Sequence, residues 1–308
     1  MHTTPKYLRD AATASYSDRM TEEPYRPVVA VAGATGAQGG AAARSLLDQG
    51  FRVRALTRNP ESAAIHTLRV LGAEVRAADF DDGTSLEAAL KGADGLFAMS
   101  TPFGSDPDTE VRQGIRLLEA ARGVGHIVFT SAAHADRDTG IPHFDSKYRI
   151  ERHLRGLGVP WTILGPAAFM DNYTVEWSLE GLREGRFVLP MPADQPLTLI
   201  PAQDIGTFAA HVLAHPEEFA GRRIDIASDK LTCPEIAKAL TGACGRQIVF
   251  ERLPIAHVEA FSADLAAMFR YFTEVGLEVD TDALRREFPE IGWQRFGAWA
   301  ARRTWPLS

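Results

Sequence analysis

Short apolar runs alternate with amphipathic segments along the first half of the chain. Runs of β-branched and aliphatic residues predict strands, and apolar residues three or four positions apart predict helices. The predicted strands are 28–32, 51–57, 74–78, 95–99, 126–130 and 160–164, and the predicted helices are 38–49, 61–71, 84–91, 108–123 and 142–157. This alternation is typical of βαβ units, so we expect an α/β fold with a doubly wound parallel sheet.

The regular alternation stops after Pro166. Strand-like pieces at 186–190, 197–200, 223–227 and 247–252 are then interleaved with helical patterns at 174–183, 204–214, 233–241 and, mostly, 256–302. We therefore expect a dinucleotide-binding domain over 27–165 and a smaller α+β lobe over 166–308. Some elements of this lobe should extend the main sheet. The polar residues 1–26 are expected to form a mobile extension, with a partner-binding arm left open.

Three glycines follow the first predicted strand at a regular spacing, Gly33, Gly36 and Gly39. Gly33 permits a tight strand-to-helix turn, Gly36 lets the backbone approach a pyrophosphate, and Gly39 lets the helix pack closely on the strand. The N–H groups that open the helix then face the phosphates, with Thr35, Ala37 and Gln38 beside them. The strand–turn–helix context indicates a Rossmann-type dinucleotide site.

The second predicted strand indicates which dinucleotide is bound. An NAD site usually has an acidic residue here, about 20 residues beyond the glycines, that binds the ribose hydroxyls. This chain has Arg58 instead. A guanidinium binds a 2′-phosphate through paired hydrogen bonds, whereas a carboxylate repels it. The sequence therefore favours NADP(H) over NAD(H), and the alternative is an ordinary solvated arginine.

Composition narrows the class of protein. The 308 residues are 45% hydrophobic, with a net charge of −7, which offers no general attraction to nucleic acid or to an anionic membrane. The two cysteines, Cys233 and Cys244, have no metal-ligand spacing and suggest no disulfide framework, so no metal site is expected and a cytoplasmic location is favoured. With nucleic acid and membranes disfavoured, we expect the partner to be a small-molecule substrate or a regulatory protein. The oligomeric state is left open, a homodimer included.

Ligands of an open α/β sheet bind outside the carboxyl ends of its strands, which selects the loops that follow them. Asp79 and Phe80 follow the third predicted strand and are candidates to contact the adenine ring. Thr101 follows the fourth strand and would lie near the nicotinamide end. Pro166 and Phe169 follow the sixth and could wall the nicotinamide pocket, although plain core packing explains such residues equally well.

The candidate catalytic residues are Ser131, which closes the fifth strand, and His143 and Lys147 in the next helix. His143, Lys147 and Glu151 recur every four residues and therefore share one helix face. Lys147 could hold the cofactor ribose or relay a proton; the alternative is a Lys–Glu pair on the surface. His143 could titrate near neutral pH as a catalytic group, or it could simply be exposed at the helix start.

These motifs together resemble the NmrA-like branch of the atypical short-chain dehydrogenases, and in particular the subgroup of the animal NADPH-sensor protein. The resemblance rests on segments 33–40, 57–60, 142–147, 166–172 and 267–272. It implies an NADP-binding Rossmann fold with a smaller C-terminal lobe. The wider superfamily uses Ser, Tyr and Lys, with the last two in a Y-x-x-x-K pattern.

Ser131 and Lys147 match that pattern, but His143 stands at the tyrosine position. The isoflavone-reductase-like relatives also lack the tyrosine and depend on a lysine that Lys147 resembles. Two functions therefore follow as hypotheses. One is an NADPH-dependent reductase of a quinone, an enone or a similar conjugated molecule. The other is a non-catalytic sensor of the NADPH/NADP ratio that regulates a protein partner.

Overall fold

A seven-stranded parallel sheet forms the centre of the molecule, which a computed structural model describes over residues 25–101 and 106–307. The strand order is β10-β6-β5-β4-β1-β2-β3, and each neighbouring pair is parallel. The chain thus winds outward from β1 in both directions, as expected of a Rossmann-type sheet. The strands of this sheet are Val28–Val31 (β1), Arg52–Thr57 (β2), Glu74–Ala77 (β3), Gly95–Met99 (β4), His126–Thr130 (β5), Trp161–Pro166 (β6) and Arg222–Ile226 (β10).

Helices cover both faces of this sheet. Alternate strand residues supply two separate cores, because successive side chains of a strand point to opposite faces. Val29 and Val31 of β1 belong to one core, and Val28 and Ala30 belong to the other. The helices are Ala37–Asp48 (α1), Ala63–Val70 (α2), Gly83–Leu90 (α3), Pro107–Ala120 (α4), Pro142–Arg155 (α5), Glu176–Arg183 (α6), Ala202–Ala214 (α7), Pro216–Phe219 (α8), Cys233–Cys244 (α9), Ile255–Phe261 (α10), Ala263–Glu274 (α11), Thr281–Glu287 (α12) and Phe296–Ala301 (α13).

The C-terminal part of the chain joins the main sheet and also builds two small sheets. Strand β10 pairs in parallel with β6, so this part is continuous with the central sheet. Helix α7 packs on α1 so closely that a Cβ at Gly206 would lie 2.4 Å from the Ala41 carbonyl carbon. The strands of the small sheets are Ala168–Phe169 (β7), Arg186–Leu189 (β8), Pro196–Ile200 (β9), Asp229–Thr232 (β11) and Val249–Arg252 (β12).

The predicted strands of the main sheet lie within one or two residues of the observed ones. A capping box of Thr232 and Glu235 begins α9. Asp82 caps α3, accepting from the N–H groups of Thr84 and Ser85, whereas the neighbouring Asp81 pairs with Arg116 of α4. The segment 256–302 divides into four helices, because Ser262 and the stretches after α11 and α12 interrupt it. Within the described ranges, no helix is long and apolar enough to span a membrane.

Candidate functional site

The glycine turn between β1 and α1 has the geometry that the sequence predicts. Gly33 has a φ of +63°, which a residue with a side chain rarely adopts. A Cβ at Gly39 would lie 2.3 Å from the carbonyl oxygen of Gly33, so only glycine permits this contact between helix and turn. A Cβ at Gly36 would meet only that same oxygen, at 3.4 Å. The turn therefore leaves an open approach to its backbone at Gly36.

The first turn of α1 offers unsatisfied donors at this approach. Gly36 is the N-cap residue of α1, and no side chain accepts a hydrogen bond from the N–H groups of the first turn. In the described part of the chain, the N–H groups of Ala37, Gln38 and Gly39 donate to no residue. Together with the partial positive charge of a helix N-terminus, they form an arrangement suited to an anion. Thr35 and Ala37 are exposed, and the Gln38 side-chain oxygen accepts a hydrogen bond from Thr130 Oγ1 at 2.7 Å. Gln38 thus ties this turn to the carboxyl end of β5.

Arg58 lies at the carboxyl end of β2, beside the glycine turn, because β2 pairs with β1. Its side chain is exposed and makes no ion pair or hydrogen bond with the residues that the structure describes. The turn that carries it is held by the backbone N–H of Asn59, which donates to Thr57 Oγ1 at 3.1 Å. Among the described residues this cation thus has no partner, and it lies next to the glycine turn.

Asp79 and Phe80 follow β3, which lies one strand farther from the glycine turn than β2, the strand before Arg58. Asp79 is exposed, and its Oδ1 accepts a hydrogen bond from the Asp81 N–H at 2.9 Å. Phe80 is half-buried against the core, and Arg116 donates to its carbonyl at 3.0 Å. Both residues are placed where the sequence reasoning puts the adenine end of a dinucleotide.

Lys147 of α5 is buried in a closed hydrogen-bonding network. Its Nζ donates to Glu110 Oε1 at 2.7 Å and to Ser100 Oγ at 3.2 Å. Ser100 and Ser146 also donate to Glu110, which is 0% exposed. The surface pairing of Lys147 with Glu151 is therefore wrong, since both side chains are buried and have different partners. Because Ser100 follows β4 directly, Lys147 lies at the carboxyl edge of the sheet.

Glu110 was missed by the sequence reasoning. It occupies the first turn of α4, on the face that continues with the buried residues Gly114 and Leu117. A carboxylate on the apolar face of a helix is the signal that could have revealed it, because a buried charge is normally paired.

Ser131 is hydrogen-bonded into a different network. Its Oγ donates to Glu151 Oε1 at 2.5 Å, and Arg223 of β10 donates to the other oxygen of that carboxylate at 3.0 Å. Arg223 also pairs with Asp225, whose carboxylate lies over Gly165, where a Cβ would come within 2.1 Å of it. Over the described ranges no hydrogen bond or ion pair joins this network to Lys147, so the structure does not bring Ser131 and Lys147 into one hydrogen-bonded group.

His143 lies in the first turn of α5 and contacts a carboxylate of α11, in the C-terminal part of the chain. Its Nδ1 lies 2.7 Å from Asp264 Oδ1 of α11, and its backbone N–H donates to the same oxygen at 3.4 Å. Burial works to raise the pKa of Asp264, but the hydrogen bond and charge of His143 outweigh it and hold that pKa below its usual value. Sequence reasoning had no signal for Asp264, since it is distant along the chain.

A second histidine fastens α11 to the sheet edge. His134, in the loop after β5, is 1% exposed and has a φ of +64°. Its Nδ1 lies 3.2 Å from the hydroxyl of Tyr271 of α11, and its Nε2 lies 2.9 Å from the carbonyl of Glu278. Helix α11 is therefore held over the carboxyl edge of the sheet at both His134 and His143.

The remaining predicted residues lie around the same edge. Thr101 follows Ser100 and is exposed, and the four residues after it lie outside the described ranges. Pro166 ends β6 in a buried position, and Phe169 of β7 is half-buried against the core. The contacts of Phe169 fit both a pocket wall and core packing. The described residues contain no cluster of His, Cys, Asp and Glu that could hold a metal ion.

The doubly wound parallel sheet with its glycine turn defines a Rossmann-type α/β protein. The sequence profile of the NmrA-like family matches residues 26–299, and the chain belongs to this family. An NmrA-like family domain-containing oxidoreductase, FrzB, from Cladobotryum sp. is 30% identical over 300 residues, which cover 83% of this chain and 89% of FrzB. A (4-alkanoyl-5-oxo-2,5-dihydrofuran-3-yl)methyl phosphate reductase from Streptomyces griseus is 30% identical over 230 residues, with 74% and 78% covered.

Two solved structures share the fold. The triphenylmethane reductase of Citrobacter sp., complexed with NADP(H), superimposes with a TM-score of 0.76 at 22% identity, over 90% of this chain and 99% of that one. NmrA, a negative transcriptional regulator in complex with NADP, superimposes with a TM-score of 0.76 at 19% identity, over 92% and 96% of the two chains. The same fold therefore occurs in a reductase and in a regulator.

Proposed function

We propose that this chain binds NADP(H) and reduces a quinone, an enone or a similar conjugated small molecule. The observation that carries the proposal is the glycine turn with Arg58 beside it: three N–H groups of the turn and the Arg58 side chain have no partner in the part of the chain that the structure describes. A dinucleotide with a 2′-phosphate has a negative group for each of these positive features. NADP-complexed proteins of the same fold support the assignment.

The chain's residues fit this cofactor in a definite order along the sheet edge. The N–H groups of Ala37, Gln38 and Gly39 would hold the pyrophosphate, and Arg58 would bind the 2′-phosphate. The adenine would lie near Asp79 and Phe80, which follow β3. The nicotinamide end would lie across β4 to β6, near Thr101, Lys147, Pro166 and Phe169.

Lys147 would anchor the nicotinamide ribose. An ammonium has three donors, and two of them go to Glu110 and Ser100. The third donor has no acceptor within residues 25–101 and 106–307, so it could bind a ribose hydroxyl. Because Glu110 is fully buried and holds the ammonium from the protein side, Lys147 would have a defined position before the cofactor arrives.

When bound, NADPH supplies a hydride to the substrate. The Streptomyces and Citrobacter reductases described above support this chemistry, and the dihydrofuranone in the name of the Streptomyces enzyme is an unsaturated cyclic carbonyl compound. A conjugated acceptor of that kind is the substrate class that we propose.

A non-catalytic NADPH/NADP sensor is the second candidate. The specific observation in its favour is that Lys147 and Ser131 are both hydrogen-bonded to fully buried carboxylates, an arrangement that also suits a purely structural role. The structural likeness to a negative transcriptional regulator supports it as well.

The test is to measure NADPH binding by fluorescence and then NADPH oxidation against a panel of quinones and enones. The reductase predicts oxidation that depends on the acceptor and falls at least about 100-fold in Lys147→Met, because ribose orientation is lost. Lys230→Met is the matched control, since it removes a lysine from an exposed ion pair with Glu278. Tight NADPH binding without oxidation of any acceptor would favour the sensor.

A further inference from the structure

Helix α11 is fastened over the carboxyl edge of the sheet at two points. Near its start, Asp264 Oδ1 lies 2.7 Å from His143 Nδ1, and two turns later the Tyr271 hydroxyl lies 3.2 Å from His134 Nδ1. Because a helix rises about 1.5 Å per residue, the two contacts are separated by about 10 Å along the helix axis. A planar molecule of two fused rings fits within that span.

The face of α11 between these two contacts is apolar. Ala267 and Met268 follow Asp264 by three and four positions and precede Tyr271 by four and three, so all four residues share one face of the helix. Ala267 and Met268 are half-buried, and Met268 also packs against the core. The helix therefore presents an alanine methyl group and a methionine side chain towards the sheet edge.

The two residues differ in what lies beside them. Ala267 is on the flank of α11 that carries the exposed residues Ala263 and Glu274, four positions before it and seven after it. Met268 is on the opposite flank, against the core. A ring held under this face can therefore extend past Ala267 towards solvent, whereas Met268 bounds it on the inner side.

Positive charge on α11 is directed away from this face. The one basic residue of the helix, Arg270, pairs with Glu259 of α10 at 2.5 Å. Arg270 follows Met268 by two positions, which places it about 160° around the helix from that residue. A negatively charged molecule under the apolar face would therefore have no counter-ion on α11.

We infer that Met268 is a specificity-determining residue of the proposed reduction, and that it selects an acceptor with a neutral planar ring, such as a quinone without ionised substituents. The inference rests on the proposed function, in which the nicotinamide end of the cofactor lies across β4 to β6. Hydride transfer requires the acceptor to lie against the nicotinamide, so the acceptor would be enclosed between the cofactor and this face of α11. A methionine thioether packs favourably on an aromatic ring, and its flexible side chain adapts to the size of that ring.

The first experiment compares kcat/KM for benzoquinone, naphthoquinone and phenanthrenequinone, which have one, two and three rings, with NADPH as the hydride donor. Met268→Ala removes the inner wall and should raise kcat/KM for the three-ring acceptor relative to the one-ring acceptor by about 10-fold or more, since one methylene group at a pocket wall changes discrimination about 10–200-fold. Met268→Trp should change this ratio in the opposite direction. The Kd for NADPH should be unchanged in both variants.

Ala267→Met adds a side chain on the solvent flank and should lower kcat/KM for phenanthrenequinone more than for the two smaller acceptors. This variant also serves if Met268→Trp folds poorly, because its new side chain has room to extend into solvent. Arg270→Ala is the matched control, since it removes a long side chain from the far side of the same helix and breaks an exposed ion pair. Unchanged ratios in all the Met268 and Ala267 variants would overturn the inference, and so would a change of the same size in Arg270→Ala.

The second experiment tests the preference for a neutral ring. Naphthoquinone sulfonate carries a permanent negative charge, and the intrinsic reactivity of the two naphthoquinones is the same for every variant. Met268→Lys should therefore raise kcat/KM for the sulfonate relative to naphthoquinone by about 10-fold or more, because it places a cation on the apolar wall. Arg270→Lys, which keeps a cation on the far side, should leave the ratio unchanged.

The outcomes separate this inference from the function on which it rests. A protein that reduces quinones, but whose preference for the neutral acceptor is not moved by Met268→Lys, would overturn the inference and leave the proposed function standing. A wild-type protein that binds NADPH and reduces none of the acceptors would instead refute the proposed function, and the inference with it.

Discussion

Glu110→Gln should destabilise the protein by about 3–5 kcal/mol, because it leaves Lys147 as a buried cation without its counter-ion. Glu110 is 0% exposed and accepts hydrogen bonds from Lys147 at 2.7 Å and Ser100 at 2.6 Å, with Ser146 on its other oxygen. A glutamine retains one acceptor oxygen but presents an amide donor where the second oxygen lay. It therefore loses the charge and places a donor opposite a donor.

The assay is urea denaturation followed by circular dichroism. Unfolding free energies are compared between variants whose dependence on urea concentration, the m-value, is the same. Glu278→Gln is the control, since it breaks an exposed pair with Lys230 and should cost less than about 1 kcal/mol. The double variant Glu110→Gln/Lys147→Met should recover part of the loss, because it removes the orphaned cation as well. A loss below about 1 kcal/mol in Glu110→Gln, equal to that of the surface control, would refute the buried ion pair.

Two further predictions concern cofactor choice and pH. Arg58→Glu should raise the Kd for NADPH about 10–100-fold or more, because hydrogen bonds to charged groups contribute about 1.5–3 kcal/mol, and it should leave the Kd for NADH nearly unchanged. Arg52→Glu, at the amino end of the same strand, is the control. An equal loss of affinity for both cofactors would exclude Arg58 from the 2′-phosphate role. Burial lowers the pKa of His126 from 6.5 to about 4 in the folded protein. As the pH drops from 6.5 towards 4, His126 is therefore protonated in the unfolded chain before it is protonated in the folded one, and the unfolding free energy falls. Between pH 7 and pH 5 the unfolding free energy should therefore fall by about 2 kcal/mol more in the wild-type protein than in His126→Gln. The same pH dependence of stability in both proteins would contradict this prediction.

The physical reason for the His126 prediction is the direction of its hydrogen bonds. Thr162 Oγ1 donates to the Phe219 carbonyl at 2.8 Å, so it can only accept from His126 Nε2, also at 2.8 Å. The proton of the neutral ring is therefore on Nε2. Nδ1 is buried and has no partner among the described residues. Protonation would place a new donor at Nδ1 with nothing to receive it.

The fold and the cofactor end of the site could be predicted from the sequence because their signals are local. Each strand pattern of the main sheet spans only five to seven residues, and the three glycines and Arg58 all lie between positions 33 and 58. Each reports a requirement of the backbone itself, such as the positive φ of Gly33 or the close approach at Gly39. Such requirements do not depend on what the rest of the chain does.

The partners of the catalytic candidates could not be predicted in this way. Lys147 meets Glu110 37 positions away, and His143 meets Asp264 121 positions away. The spacing of His143, Lys147 and Glu151 correctly predicted that they share one face of a helix, but the alternative left open there, a surface pair of Lys147 with Glu151, is wrong. Which carboxylate each residue binds depends on how α4, α11 and β10 pack around α5, and no local pattern records this.

The three candidate catalytic side chains each bind a different carboxylate, and these carboxylates differ in burial. Glu110 and Glu151, which bind Lys147 and Ser131, are 0% exposed, whereas the side chain of Asp264, which binds His143, is 31% exposed. Removing the charge of a buried carboxylate leaves its partner unpaired away from water, whereas water screens the partner of a partly exposed one. Loss of Glu110 should therefore cost more stability than loss of Asp264.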